Sequence, residues 1–265
     1  MSIENKLHPT APTEQSSAQL AALVMSTGLG IPRTVYRPAR QINLLVLGIV
    51  NILVPIPFLF TAAAAVGLVL AALLWPLGVL VLLRSPLINR GLAQSRVYVH
   101  DNGFIHARKA DSMEAFRWDQ ITTVYQSIVN TRYNGVSTGT KYMYTITRAD
   151  GRTVKLTQAF EGIGHLGRSI SVKVAEAQLP ATKAALAEGQ KLWFGDVFVD
   201  SASVGTSRKT VPWSAVSDLQ VRNGQISFVQ TGKFLPLTRT RAAQIPNLPL
   251  FLHLARSLQG GAGVR

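Results

Sequence analysis

Residues Ile42–Leu83 read INLLVLGIVNILVPIPFLFTAAAAVGLVLAALLWPLGVLVLL, a run without a single Asp, Glu, Lys or Arg. As one helix it would rise about 1.5 Å per residue, roughly 60 Å, twice the ~30 Å hydrocarbon core of a bilayer. Two helices of about 20 residues match that thickness. We therefore expect a transmembrane helical hairpin at 42–83, with helices near 42–60 and 62–83. A helix on a soluble domain keeps a polar stripe for water, and this run has none. Pro55 and Pro57 interrupt the first half. They mark either a kink late in a spanning helix or the tip of a re-entrant hairpin; the two-span arrangement is the expectation.

Working outward, Arg33, Arg37 and Arg40 precede the run and Arg84, Arg90 and Arg96 follow it, while the turn around Phe60-Thr61-Ala62 is uncharged. The positive-inside bias then puts both flanks in the cytoplasm of an inner-membrane protein. The first apolar block begins too deep for a cleavable signal peptide, and residues 1–41 read as a flexible polar and basic segment.

The whole chain has 265 residues, 47% of them hydrophobic, which suffices for one or two modest cores. Mean hydropathy is +0.21, and the excess sits in the apolar run. With no cysteine, disulfides, thiolate metal sites, iron–sulfur clusters and cysteine nucleophiles are excluded. Twenty-seven Lys and Arg against thirteen Asp and Glu give a net charge of +14. That surplus suits an anionic partner, lipid headgroups or nucleic acid, and also the ordinary cytoplasmic bias of membrane proteins.

After Arg96 the pattern changes to short β-like runs. Arg96–His100 (RVYVH) and Phe104–Arg108 (FIHAR) flank Asp101-Asn102-Gly103, a hairpin signal. Ala115–Trp118, Ile121–Val129, Tyr142–Arg148 and Thr153–Thr157 continue it, and Ile163–Leu179 has helical spacing of apolar residues. The series then restarts. Val97–His100 resembles Val197–Asp200. Arg117-Trp118-Asp119-Gln120-Ile121 resembles Pro212-Trp213-Ser214-Ala215-Val216. Thr147–Thr157 resembles Val229–Thr238, and each ends in a loop and an apolar helix, the second at Asn247–Leu258. We read an internal duplication: a first unit at 96–179, a connecting helix at 180–190, a shorter second unit at 191–259 and a tail at 260–265. The second unit lacks a counterpart to Asn130–Thr140, read as a long polar loop. The fold class expected is thus a membrane helical hairpin plus a β-rich α+β cytoplasmic part, each unit being antiparallel strands closed by a C-terminal helix.

This order of elements resembles the pleckstrin-homology-like (PH-like) fold. From about Gly28 onward the chain also resembles an uncharacterised bacterial membrane family, a domain of unknown function. The residues that carry the resemblance are Leu29–Pro38 (LGIPRTVYRP), Phe116–Gln120 (FRWDQ), Tyr133–Thr140 (YNGVSTGT), Ala149–Thr153 (ADGRT) and Val211–Val216 (VPWSAV). It implies tandem PH-like domains behind a membrane hairpin, and supplies no activity or site residues.

Candidate chemistry is sparse. Gly162–Gly167 (GIGHLG) matches G-x-G-x-x-G, which in a dinucleotide fold lets backbone amides approach a pyrophosphate. Here it follows antiparallel-looking strands rather than the first strand of a βαβ unit, so a nucleotide-binding enzyme is only the alternative. His8, His100, His106, His165 and His253 form no ligand spacing, and no serine sits in a nucleophile elbow. The expectation is a non-catalytic binding or scaffold protein, with no catalytic, metal or cofactor site and no cofactor. Its expected partners are membrane lipids, anionic headgroups among them, or an unidentified protein. Nucleic acid is not expected, because the basic C-terminal part lacks an aromatic-plus-basic stripe. The binding loop would comprise Arg132, Tyr133, Asn134, Gly135 and Lys141. The anionic-lipid contacts would be Arg33, Arg37, Arg40, Arg84, Arg90, Arg96, Arg239 and Arg241. Trp118 and Trp213, at matched positions, are expected in the core.

Overall fold

The computed structural model describes residues 14–39, 42–61, 64–85, 88–89, 93–109, 112–133, 136–232 and 239–262. It is an α+β protein with four antiparallel sheets among these residues and two long apolar helical segments. The chain divides into two units, residues 1–117 with 159–161, and residues 118–158 with 162–265.

The first unit opens with α1 (Glu14–Thr27). Leu20, Leu23 and Val24 fall on one face at helical spacing and pack on Leu29, Ile105 and Ala115. The helix stops at Gly28, whose φ of +65° suits a glycine beyond a C-terminus. Strand β1 (Pro32–Tyr36) follows and pairs antiparallel with β2 (Arg96–His100): Tyr36 lies opposite Val97, Val35 opposite Tyr98 and Thr34 opposite Val99. The stretch 1–41, expected as a flexible polar segment, thus holds a helix and a paired strand. Ten of the seventeen residues 20–36 are apolar, but of α1 only Leu20, Leu23 and Val24 pack, and the sheet residues they cover lie elsewhere in the sequence. Strands β3 (Gly103–Lys109) and β4 (Ser112–Arg117) complete a meander in the order β1-β2-β3-β4. The turn at Gly103 is tight: an added Cβ would sit 2.3 Å from the Phe116 carbonyl oxygen. Phe104 and Phe116 stack with centroids 4.9 Å apart. Phe160 joins this unit, bridging to Pro38, while the Ala39 amide donates to the Ala159 carbonyl and the Glu161 amide to that of Arg37.

Between β1 and β2 the chain forms α2 (Ile42–Leu53), the short α3 (Ile56–Leu59) and α4 (Ala64–Leu83). The segments Ile42–Leu59 and Ala64–Leu83 are each long and apolar enough to cross a membrane. They run antiparallel, with three small residues allowing close approach. A Cβ on Gly48 would meet Leu82 at 2.5 Å, one on Gly78 would meet the Gly48 carbonyl at 3.0 Å, and one on Gly67 would meet the Leu59 amide at 2.8 Å. The Trp75 indole donates to the Ile52 carbonyl, and Pro55 and Pro57 have no amide to offer the carbonyls of Asn51 and Leu53 one turn earlier. The outer faces carry Val46, Val50, Leu68, Leu73 and Leu80, all exposed.

The second unit begins with a 3-10 turn at Trp118–Gln120 and continues through β5 (Ile121–Tyr133), β6 (Val136–Arg148) and β7 (Thr153–Thr157), ordered β5-β6-β7. Helix α5 (Ile163–Ala187) packs on this sheet. It runs unbroken through Pro180, so the separate connecting helix expected at 180–190 is the second half of one helix. Pro180 is exposed, and its missing amide leaves a carbonyl that water can reach. The C-terminal half gives Leu179 and Leu186 to the next core.

That core is enclosed by a second meander, β8 (Leu192–Phe194), β9 (Val197–Val199), β10 (Ser203–Thr206) and β11 (Thr210–Pro212). A 3-10 turn at Trp213–Ala215 leads into β12 (Val216–Arg222), β13 (Gln225–Gln230) and β14 (Arg239–Arg241), and α6 (Leu248–Ala262) closes it. Phe194, Val199, Trp213, Phe228, Phe251 and Leu254 are its buried centre. Phe194 lies opposite Val197, Trp193 opposite Phe198 and Leu192 opposite Val199.

Candidate functional site

Of the arginines read as lipid contacts, Arg40 and Arg90 lie outside the described residues. Arg33, Arg37 and Arg84 are exposed in the first unit, the first two at the ends of β1 and the last just past α4. Arg33 is not uncommitted: its Nε donates to the Asp101 carboxylate, which holds that carboxyl below its usual range. Arg96 is half-buried, with Nη1 donating to the carbonyls of Ala93 and Ser95. Its pKa is lowered, first by burial and also by the neighbouring charge of Arg37. Since Tyr36 pairs with Val97, Arg37 and Arg96 mark the paired ends from which the chain leaves the sheet toward α2 and to which it returns from α4. In the second unit Arg239 and Arg241 are both exposed, flanking buried Thr240 on β14. Alternation along a strand puts their side chains on one face.

The loop expected at Asn130–Thr140 is instead the end of a long two-stranded ribbon. Asn130 pairs with Thr140, Thr131 with Gly139, Arg132 with Ser137 and Tyr133 with Val136. Thr and Val favour extended backbone, and two cross-strand bonds reinforce it: Thr140 Oγ1 donates to Asn130 Oδ1, and Thr131 Oγ1 to the Gly139 carbonyl. Asn134 and Gly135 lie outside the described residues. The backbones of Arg132 and Tyr133 belong to β5, and Lys141 is exposed on β6 opposite Val129.

The glycine motif serves helix–sheet packing. Gly162 takes a left-handed φ of +64° to start α5. A Cβ on Gly167 would lie 2.0 Å from the ring of fully buried Tyr144, and one on Gly164 would lie 3.0 Å from the ring of Tyr142. The Cα faces of Gly164 and Gly167 are thus covered by tyrosine rings.

Trp118 and Trp213 are buried, and the Trp213 indole donates to the Asp200 carbonyl at 2.9 Å. Asp200 organises the turn before β10, accepting from the amides of Ala202 and Ser203 and from Ser203 Oγ. His106 is buried edge-on to Phe160, and burial lowers its pKa to about 4. His100 is also buried, with Nδ1 3.2 Å from the Tyr98 carbonyl oxygen. Among the described residues no cluster of three His, Asp or Glu is placed to hold a metal. A shallow, open depression on α6 is lined by Pro249, Leu252, His253, Arg256 and Ser257.

Asn247 is the residue that sequence reasoning missed. It is buried, with a φ of +49°. Its backbone amide donates to the Val124 carbonyl, its Oδ1 accepts from the Val124 amide at 2.8 Å, and its Nδ2 donates to the Thr122 carbonyl and to Gln178 Oε1. One side chain therefore acts as a short extra strand on the edge of β5 and ties it to both α5 and the start of α6. Its signal in sequence is only an Asn between two prolines, Pro246 and Pro249.

The model of a family of unknown function, DUF6585, matches residues 14–261, and the chain belongs to that family. No curated protein matches it.

Proposed function

We propose that this member of DUF6585 is a membrane-anchored, non-catalytic scaffold carrying two PH-like units at the cytoplasmic face, where its basic surfaces meet anionic headgroups or a protein partner. One observation carries the reading: the uncharged helical pair lies between β1 and β2, two strands that pair with each other. Anchor and sheet are covalently and hydrogen-bonded parts of one piece, so the folded part stays at the bilayer surface. The exposed apolar faces of α2 and α4 are suited to lipid tails, and Arg37, Arg84 and Arg96 to the headgroup level.

The duplication is supported register by register. Tyr36–Val97 corresponds to Phe194–Val197, Val97–His106 to Val197–Thr206, and Phe104–Phe116 to Val204–Val211. Each meander of four is followed by a tryptophan-led 3-10 turn, a meander of three and a helix. The irregularity at Ile121/Thr123 recurs at Val216/Asp218. Four strands, three strands and a closing helix are the elements of a PH-like unit, and Arg239 and Arg241 give β14 an exposed basic face suited to anions.

The test uses the full chain in nanodiscs. Alkaline carbonate should leave the protein in membranes. Amide exchange at β1 and β14 should slow when neutral lipid is replaced by a mixture containing phosphatidylserine, and equal exchange in both lipids would remove the headgroup reading.

A further inference from the structure

We infer that the outer face of β12–β14 binds a phosphate monoester carried by a membrane lipid, held by Arg222, Arg239 and Arg241. Strand register builds the face. Arg222 lies opposite Gln225, and Gln225 opposite Arg241. Two residues along, Gln220 lies opposite Ser227, and Ser227 opposite Arg239. Residues in register share a face. The alternate residues Ile226, Phe228 and Thr240 are buried, so both rows point outward, and all three arginines are exposed. Across three strands the Cα atoms of Arg222 and Arg241 stand about 10 Å apart, and along β14 those of Arg239 and Arg241 about 7 Å. Long arginine side chains can close those gaps over Gln225. One turn fixes two of them. Arg222 and Gln225 flank Asn223-Gly224, with φ of +52° and +70°, the geometry of a two-residue hairpin loop. The Gly224 carbonyl accepts the Ala242 amide at 2.8 Å, which ties the chain beside Arg241 to the same turn.

Charge identifies the ligand. Among the described residues none of the three arginines has an ion pair. Beyond Asp200 the sequence holds one acid, Asp218. It stands four residues before Arg222 on β12, about 13 Å away, and accepts from Gln220 Nε2. The architecture does not require this charge. In the equivalent rows of β5–β7, Ser127 lies opposite Met143 and Met143 opposite Thr157, while Tyr125 lies opposite Thr145 and Thr145 opposite Lys155. Those rows hold one cation, Lys155, at the place of Arg239. Three like charges gathered without a counter-charge destabilise a sheet, and an anion within reach of all three removes that cost. A carboxylate offers two oxygens in one plane. A phosphate monoester offers three oxygens and a charge of about −1.5 to −2 at neutral pH, a match for three guanidinium groups. The lipid as carrier rests on the membrane-anchored reading above; the phosphate chemistry does not.

The test uses the full chain in uncharged detergent micelles near neutral pH, titrated by calorimetry. Dioctanoyl phosphatidic acid, a monoester, should bind about ten-fold more tightly than dioctanoyl phosphatidylglycerol, a diester with the same tails, and more tightly than glycerol 3-phosphate. Arg222→Gln and Arg241→Gln should each weaken phosphatidic acid binding about ten-fold with the circular dichroism unchanged. Lys155→Gln removes an exposed charge from the equivalent face and should leave binding as it was. Equal binding of the two lipids would make the face a diffuse cationic surface. Glycerol 3-phosphate binding as tightly as the lipid would make the ligand a soluble phosphate. A loss in Lys155→Gln equal to that in Arg241→Gln would place binding elsewhere. Each of these overturns the proposal. The assay contains no bilayer, so release of the protein by alkaline carbonate would undo the anchored reading without touching these results.

Discussion

Replacing Asn247 by Ala tests whether one side chain holds the start of α6 to the edge of β5. The substitution strips the buried Val124 amide of its acceptor, a cost of about 1–3 kcal/mol for an unsatisfied buried donor. It removes the Nδ2 bonds to the Thr122 carbonyl and Gln178 Oε1, the second of which frees a side chain that can turn to water. It also places a β-carbon without local hydrogen bonding at a φ of +49°, about 1 kcal/mol more. The sum is about 2–4 kcal/mol. For a unit of this size that lowers the melting temperature by roughly 10 °C. Asn247→Asp separates the contributions. A carboxylate still accepts from Val124 but faces the Thr122 and Gln178 oxygens with no proton to give. Amide exchange on the full chain should show Val124 exposed in the Ala variant and protected in the Asp variant. If the Ala variant kept a protected Val124 amide, or melted within 2 °C of the parent, the bridging role assigned to Asn247 would be wrong.

Gly167→Ala puts a methyl group 2.0 Å from the Tyr144 ring, between a helix and a sheet that cannot part cheaply, and should cost about 2–3 kcal/mol in urea unfolding; Gly164→Ala, against the Tyr142 ring, should cost less than half of that. Trp213→Phe leaves the buried Asp200 carbonyl without its indole donor and should lose about 1–3 kcal/mol, whereas Trp193→Phe, 52% exposed, should be nearly neutral in the same melts. His106 is neutral in the fold because burial lowers its pKa to about 4, while the unfolded chain takes up that proton near 6.5. Its contribution is therefore complete above pH 6.5 and falls away as pH drops toward 4, by up to about 3 kcal/mol, and the difference between parent and His106→Leu stability curves should have that slope.

The elements that announce themselves locally were legible. The β-like runs at Arg96–His100, Thr153–Thr157 and Tyr142–Arg148 are strands, and the apolar run gives two long helical segments, the first interrupted at Pro55. What could not be read depends on partners distant in sequence. PRTVY at 32–36 alternates too weakly to declare itself, and becomes a strand because β2 offers it an edge. Helix α5 continues through Pro180 because Leu179 and Leu186 are drawn into the neighbouring core, an apolar gain that outweighs one missing backbone bond. The ribbon end at Asn130–Thr140 looked like a loop because its polar residues satisfy one another across the strands rather than facing a core. Of the candidate site residues, Arg33, Arg37, Arg84 and Arg96 were chosen by position relative to the apolar run; Asn247 was invisible because the four groups it bonds come from two distant stretches, Thr122–Val124 and Gln178.

On the proposed reading, the duplication also gives a place for the helical pair. In the second repeat, β8 and β9 are joined by the two-residue turn Gly195-Asp196. In the first, the matching strands β1 and β2 are joined by residues 37–95, which include the whole helical pair. A hairpin turn tolerates such an insertion because its ends stay paired: neighbouring strands are about 5 Å apart and packed helices 8–10 Å, so the chain enters and leaves the helical pair with little rearrangement. Replacing residues 37–95 with Gly-Asp should therefore yield a protein that no longer sediments with membranes and keeps the β1–β2 pairing. The change gives up the Arg37–Glu161 and Ala39–Ala159 backbone bonds, a loss of about 1–3 kcal/mol in all, small beside a sheet otherwise intact. Slow amide exchange at Val97 and Val99 would report the retained sheet. If the shortened chain stayed soluble but exchanged those amides as an unfolded segment does, the helical pair would be a structural member of the first repeat rather than an insertion into it.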